Sequence, residues 1–457
     1  MVATLEFVNA LVWGVPALVL ILGVGVFFTF RTKFVQFRLF PQAVRYFLNK
    51  LRPDLRSSGV SPMQALCTAL AATVGTGNIA GVAGAMALGG PGAIFWMWIC
   101  AILGMAIKFA EATLAVAYRK RENGEFVGGP MYMICTGLGS KWRPLAVVYA
   151  FFGVVAAFGV GNATQVNAVI TGINEAIRSF GGEPNDWINI LIGIGMAILI
   201  GLTIFGGAKR IGQTAQLLIP FASCAYLLLG LFVLVVRCQS IPYAFSAIFR
   251  GAFSPSAVTG GIIGSAITAL HTGVSRGVFT NEAGLGTASI AHAGADVAHP
   301  VQQGLMGIME VFLDTIVICT MTALVILVSG VSIPYGVDTG AALTTLAFQS
   351  VCGKWVSAFL AGALCCFAFA TILGWGLYGA RCAQFLFGSR GWKTFATLQV
   401  IVVVLSTVMG TSTVWLLAET VNGLMAIPNL IALAAFNKKL CCLLIDYTRG
   451  GTYENFH

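Results

Sequence analysis

The sequence predicts an all-α polytopic membrane protein: eleven transmembrane helices, with one extra N-terminal helix followed by a 5+5 inverted repeat that contains two broken helices. Three observations predict it. Of the 457 residues, 58% are apolar and only 9% charged, whereas soluble domains carry about 25% charged residues. The mean hydropathy is +0.89, and the apolar runs are long enough to cross about 30 Å of hydrocarbon as helices. The 55 glycines fall within long continuous apolar stretches, not in the short alternating segments of an outer-membrane barrel. A soluble enzyme, a disordered chain and a secreted disulfide module are all excluded on the same grounds.

The first apolar run covers about 7–30. Glu6 stands where a signal peptide would carry basic residues, and no small-residue cleavage motif precedes the run, so a membrane helix is expected. With the basic segment after it, this helix makes up residues 1–58. Five runs follow, near 62–88, 91–118, 143–175, 187–206 and 213–236, within a first half at 59–240. Five more, near 258–285, 301–330, 355–388, 393–410 and 413–436, fill a second half at 241–437. The amphipathic segment 331–353 reads as a re-entrant or surface element, and 438–457 as a cytoplasmic tail. Since each half holds an odd number of spans, the second must run in the opposite sense to the first, which is the arithmetic of an inverted repeat.

The 26 Lys and Arg, which give a net charge of +10, gather in a few segments between spans. With the N-terminus outside, 19 of them fall inside and 4 outside, and Lys108, Arg276 and Arg381 remain within spans. That asymmetry predicts N-out, C-in. There is no basic tail and no aromatic-interleaved basic stripe, so no nucleic-acid partner is expected. The twelve cysteines, including the vicinal pairs Cys365/Cys366 and Cys441/Cys442, have no CxxC spacing. They read as buried free thiols, not as a zinc or redox site. No lipidation motif is present. No GxxxxGK[ST], GxSxG or HExxH occurs either, which argues against ATP-driven chemistry and hydrolysis.

The stretch Ala71-Ala-Thr-Val-Gly-Thr-Gly-Asn78 lies midway along a span. Glycine, threonine and asparagine there break the helix where no water can satisfy the backbone. The N–H groups released suit a carboxylate, and the carbonyls and hydroxyls suit a small hard cation. The alternative is close helix packing by small residues. A second, less regular interruption is expected around Gly264–Gly277; paired breaks of this kind point to a midplane binding site. Thr371 and Trp375 lie one turn apart, placing a hydroxyl beside an indole, or else a back-bonded Thr beside a packed Trp. Gln165 is a pocket wall or inter-helix glue. Among charges inside spans, Lys108 and Glu111 can meet on one face, as can the like charges Glu310 and Asp314. With Arg276, Glu282, Arg381 and Glu419 they read as ion pairs and gate latches, with a proton relay as the alternative. His271 reads as a satisfied core residue or a proton carrier.

Gly89-Gly-Pro-Gly-Ala-Ile-Phe-Trp-Met-Trp98, continuing through Ile99-Cys-Ala-Ile-Leu-Gly104, resembles the signature of the sodium:alanine (alanine or glycine:cation) symporter family. Gly75-Thr-Gly-Asn-Ile-Ala-Gly81, Arg276-Gly-Val-Phe-Thr-Asn-Glu-Ala-Gly-Leu-Gly286, Phe312-Leu-Asp-Thr315, Gly374-Trp375 and Leu424-Met-Ala-Ile-Pro-Asn429 agree with it. The resemblance implies a leucine-transporter fold and uptake of alanine or glycine with Na⁺. It implies a substrate site at Gly75, Thr76 and Gly77, where the N–H groups of Thr76 and Gly77 meet the substrate carboxylate. Carbonyls of Ala71 and Val74 would join the Thr371 hydroxyl around Na⁺. Thr73 and Asn78 match positions that serve the ligand or a second cation, and Gln165 and Trp375 would line the pocket. Ile267 and Thr272 would add a further wall.

The expectation is therefore a secondary active, Na⁺-coupled symporter of a small neutral amino acid, working as a monomer by alternating access in the cytoplasmic (inner) membrane bilayer of a prokaryote. A proton-coupled or exchange-mode transporter leaning on Glu310, Asp314 or His271 is the alternative. A channel would need a continuous polar pore, and a receptor would need a large soluble part.

Overall fold

A computed structural model describes residues 7–9, 11–51, 59–122, 124–263, 265–337, 340–407 and 411–451. Glu6 and Gly264, named above, and Arg52 and Arg56, two of the 19 basic residues counted inside, lie outside the described residues. Helix α1 (Val15–Arg31) leads through the amphipathic α2 (Phe40–Lys50) to α3 (Pro62–Thr73) and α4 (Val82–Gly89). A π turn at Gly77–Gly81 precedes α4, and the two halves of this pair are bent by 51°. Next, α5 (Gly92–Ala117) ends at an antiparallel hairpin, β1 (Lys120–Glu122) and β2 (Glu125–Val127), in which Lys120 faces Val127. Then α6 (Arg143–Phe158) continues through a π turn at Gly159–Ala163 into α7 (Thr164–Ser179). Helices α8 (Asp186–Ile204), α9 (Gly207–Val236) and α10 (Ile241–Phe253) complete the first part.

The second part opens with α11 (Ala266–Asn281) and α12 (Thr287–Ala293). Helix α13 (Pro300–Val311) passes through a π segment at Phe312–Cys319 into α14 (Thr320–Ser329). The short α15 (Ala341–Cys352) precedes α16 (Val356–Phe387), α17 (Ser389–Leu405), α18 (Thr411–Ala435) and α19 (Asn437–Thr448). Among the described residues, six helical segments are long and apolar enough to cross a membrane, or up to seven if the bent pair is one span. Outward faces of α8 and α9 carry large apolar side chains, with Leu217 73% and Phe221 69% exposed. In water such a surface would aggregate; in lipid it is solvated. The cysteines are free thiols, but not all are buried: Cys224, on the outer part of α9, Cys238 and Cys442 are exposed.

The core sits around α5 and α16. Helix α5 packs against α11, α13 and α1, while α16 packs against α6, α7, α17, α9 and α3. Gly374 sets the α16–α3 crossing, because a Cβ there would lie 2.9 Å from Ala72 N and 3.0 Å from Thr68 O. This close approach brings one turn of α16 onto the bend after α3. A capping box, in which Ser61 and Gln64 bond each other's backbone N–H, starts α3.

The second interruption is not where the sequence pattern suggested. Ser265 caps α11 by accepting from Ile267 N at 3.1 Å, and the helix runs unbroken to Asn281. Gly273 and Gly277, read as breakers, serve helix packing: a Cβ on Gly273 would lie 2.3 Å from Ala93 O, and one on Gly277 3.1 Å from Cys100 Cβ. The break falls at Glu282–Gly286, where Glu282 (φ +52°), Gly284 (+94°) and Gly286 (+79°) adopt left-handed conformations. Alternating left-handed residues cannot continue a helix, whereas a glycine with helical dihedrals can.

Candidate functional site

At the first break, Val74 N closes the last turn of α3 onto Leu70 O at 2.6 Å, and Val74 itself turns extended (ψ 99°). Gly75 N then leaves the helical pattern and donates to Asn78 Oδ1 at 2.8 Å instead of to Ala71 O. Ala71 and Val74 are buried, so their carbonyls lie at a broken turn away from water. Gly75 has no side chain to shield it: a Cβ there would lie 2.8 Å from Thr371 Oγ1 and 3.9 Å from Gln165 Oε1. Thr76 Oγ1 donates to Gln165 Oε1 at 3.4 Å, and Gln165 Nε2 is anchored on Val160 O at 3.1 Å. The fold thus brings together Gly75, Thr76, Gln165 and Thr371 from three distant parts of the chain.

The Thr371 hydroxyl is buried and has no hydrogen-bond partner among the described residues. Leaving a hydroxyl in that state costs about 1–3 kcal/mol unless something binds it. A hydroxyl oxygen is a hard ligand of the kind a small cation takes.

The other expected residues separate into two groups. Asn78 is at the break, but both ends of its amide are engaged, Oδ1 with Gly75 N and Nδ2 with Asp314 Oδ1 at 2.6 Å. It shapes the turn. Thr73 bonds back to Ala69 O and Leu70 O. Gly77 lets the end of α11 approach, since a Cβ there would meet Thr280 Cγ2 at 3.2 Å. Trp375 is fully buried, with its own Cβ 2.2 Å from where a Cβ on Gly161 would lie, and donates from Nε1 to Glu282 Oε1 at 3.1 Å. Ile267 and Thr272 are elsewhere. Ile267 is 73% exposed in the first turn of α11, and Thr272 packs against Gly89, because the unbroken α11 carries both away from the two breaks.

The charged residues also pair differently from the sequence expectation. Lys108 bonds Glu310 at 2.9 Å, not Glu111. Glu111 Oε1 instead accepts the N–H groups of Gly284 (3.0 Å) and Gly286 (3.1 Å) and the amide of Asn429 (2.7 Å). Glu310 and Asp314 have separate partners, Lys108 and His292 for the one, Asn78 and Thr315 for the other. Arg381 bonds Glu125 at 2.6 Å, and Gln384 bonds Glu122 at 3.0 Å, which ties α16 to the hairpin. His271 and Arg276 line a cavity of about 330 Å³ with Asn9, Trp13 and Glu419. Sequence reasoning missed His292 and the role of Asn429; the signal for Asn429 is a proline one residue earlier, inside an apolar run.

The sequence pattern of the sodium:alanine symporter family matches residues 1–454. The chain belongs to that family. It is 44% identical over 438 residues to the sodium/alanine symporter AgcS of Methanococcus maripaludis, covering 94% of each chain. It is 38% identical over 433 residues to the amino-acid carrier protein AlsT of Bacillus subtilis, covering 94% of this chain and 89% of that one. Among solved structures, MhsT in complex with L-phenylalanine superposes with a TM-score of 0.58 at 14% identity, covering 86% of this chain and 99% of that one. The fold is therefore that of the leucine-transporter type. As a member of the sodium:alanine symporter family, the chain is a multi-pass membrane transporter that couples amino-acid movement to a cation, and it is not an enzyme.

Proposed function

We propose that this family member carries a small neutral amino acid, alanine or glycine, inward with Na⁺ across the cytoplasmic membrane of a prokaryote. The observation that carries the reading is the buried, unpartnered Thr371 hydroxyl 2.8 Å from the Cβ position of Gly75, at the first helix break. Na⁺ would be held by that hydroxyl and by the carbonyls of Ala71 and Val74. The substrate carboxylate would meet the N–H groups of Thr76 and Gly77 at the positive end of the helix running from Gly77 to Gly89. Because Gly75 lacks a side chain, both ligands can approach the backbone. Asn78 holds the turn open by capping Gly75 N, and Gln165 and Trp375 wall the pocket.

In this reading eleven helices cross the bilayer with the N-terminus outside, and residues 59–240 and 241–437 form the two inverted halves. The chain acts as a monomer, and one group of helices rocks against the other around a fixed site. One charge moving down 100 mV supplies about 2.3 kcal/mol, and a tenfold Na⁺ gradient adds about 1.4 kcal/mol. One ion per substrate then sustains an accumulation of several hundredfold.

The test is uptake of labelled alanine into proteoliposomes of the purified protein, under an inward Na⁺ gradient and again with K⁺ in its place. Uptake that requires Na⁺ is expected. Equal uptake in both would replace sodium coupling with proton coupling or exchange, and no uptake in either would remove alanine as the substrate.

A further inference from the structure

The second helix break contains an unusual residue for its backbone. Glu282 sits at φ +52°, a conformation that costs a non-glycine residue on the order of 1 kcal/mol or more. The surroundings impose it. Asn281 Oδ1 accepts from Ala283 N at 3.0 Å, Glu111 Oε1 holds the N–H groups of Gly284 and Gly286, and Asn429 Nδ2 donates to Gly284 O at 2.9 Å. The carboxylate of Glu282 is buried. One oxygen receives the Thr287 hydroxyl at 2.5 Å, and the other receives the Trp375 indole N–H at 3.1 Å.

Trp375 is thereby held at two points. Its Cβ is seated over Gly161, and its far edge is bonded to Glu282. An indole fixed only at Cβ can turn about χ1 and χ2; with Nε1 bonded to a buried carboxylate, a single rotamer is retained. Thr371 lies one turn earlier on the same helix, and Gln165 lies one turn beyond Gly161. The second helix break thus acts on a side chain one helical turn from Thr371 and packed one turn from Gln165, two groups that meet beside Gly75 at the first.

We propose that Glu282 is a specificity-determining positioning residue: by holding Trp375 Nε1 it fixes the indole wall of the pocket, and with it the largest amino-acid side chain the carrier accepts. The assignment rests on the reading above that Trp375 lines the substrate pocket. Glu282 does not touch the substrate and acts through the indole alone.

The experiment is competition. Uptake of labelled alanine into proteoliposomes is inhibited with unlabelled alanine and with leucine, and the ratio of the two inhibition constants is read for each variant. Glu282→Met removes the acceptor at similar length and is expected to lower the leucine-to-alanine ratio by about tenfold or more, the scale on which pockets separate substrates differing by methylenes. Glu282→Gln still accepts a hydrogen bond and is expected to keep the ratio within about threefold of wild type. Thr287→Val removes the other partner of Glu282 and leaves the ratio unchanged. Trp375→Ala lowers it as Glu282→Met does, and the double variant lowers it no further, because both changes remove one wall.

An unmoved ratio in Glu282→Met overturns the assignment, as does a Thr287→Val shift of equal size. If Glu282→Met does not fold, Trp375→Phe, which keeps a ring and deletes the donor, decides in its place. Lack of alanine uptake by the wild type overturns the transport reading and the assignment together; uptake with an unmoved ratio overturns the assignment alone.

Discussion

Lys108 Nζ stands 2.9 Å from Glu310 Oε1, and each side chain is 1% exposed. The other oxygen of Glu310 meets His292 Nε2 at 2.8 Å, and Gln303 Nε2 meets His292 Nδ1 at 2.7 Å. The amide nitrogen can only donate, so Nδ1 accepts and the Nε2–H faces the carboxylate. Three helices are tied by this cluster: α5 through Lys108, α12 through His292 and α13 through Glu310. It ties the short, fully buried helix after the second break to its neighbours.

Removing one member of such a pair leaves a buried charge without compensation, at a cost of about 3–5 kcal/mol. Lys108→Met is therefore expected to lower the unfolding temperature of the purified protein strongly, or to prevent its accumulation. Lys108→Met combined with Glu310→Gln removes both charges and keeps an acceptor for His292. Most of the lost stability should return in the double variant, measured as thermal unfolding in one detergent. A double variant as unstable as the single one would show that the pair is not what holds these helices.

His299 caps α13, its Nδ1 accepting from Val301 N at 3.1 Å, with Asp446 Oδ2 3.4 Å from Nε2. Burial pushes its pKa below the ordinary value, and Asp446 pulls the other way without reversing the shift. Protonation therefore favours the unfolded chain. The stability from this cap is complete above about pH 6.5, where histidine is neutral folded or unfolded, and is lost as pH falls through the folded value. Unfolding temperature should drop as pH falls below that point, and less in His299→Asn, which keeps a capping oxygen that does not titrate. Parallel curves for the two proteins would assign the pH dependence elsewhere.

The first break is legible in the sequence because Gly75, Thr76, Gly77 and Asn78 are all poor helix residues crowded into one turn at membrane depth, and local chemistry alone decides such a turn. The spacing of Thr371 and Trp375 is legible for the same reason, since a helix places residues four apart on one face. The second break is not, because composition does not distinguish Gly277, which packs on Cys100, from Gly284, which is left-handed. That distinction depends on Glu111, far away in the chain. Likewise Lys108 has Glu111 one turn away but pairs with Glu310, 202 positions on, because helix packing sets which carboxylate reaches the ammonium. Ile267 stands at the exposed start of α11 for a related reason: the expected wall presumes an interruption that α11 does not have.

Thr371→Val keeps the shape of the side chain and deletes a hydroxyl that makes no hydrogen bond among the described residues. A structural hydroxyl would take about 1 kcal/mol of stability with it; this one should take none, and the unfolding temperature without Na⁺ should hold or rise. The half-saturating Na⁺ concentration for alanine uptake should rise about tenfold or more, the equivalent of about 1.4 kcal/mol, while Thr371→Ser should stay close to wild type. Unchanged Na⁺ dependence in the valine variant would remove Thr371 from the cation site.

Gly161 and Gly362 provide a paired test of how tightly α16 is seated. A Cβ on Gly161 would lie 2.2 Å from Trp375 Cβ and 2.5 Å from its Cγ. These are the stiff root of an indole whose other edge is bonded to Glu282, so neither atom can yield by rotation. Gly161→Ala must push α16 away from the π turn, moving Thr371 relative to Gly75; overpacking of this kind costs about 1–3 kcal/mol. A Cβ on Gly362, near the start of α16, meets nothing within 4 Å, and alanine there gains up to about 1 kcal/mol of helix propensity. At matched amounts of folded protein, alanine uptake should fall about tenfold or more in Gly161→Ala, since small displacements at a binding site carry penalties of that scale. It should be unchanged in Gly362→Ala. Equal uptake by the two variants would mean that the indole is not wedged between the two breaks and that the pocket tolerates its displacement.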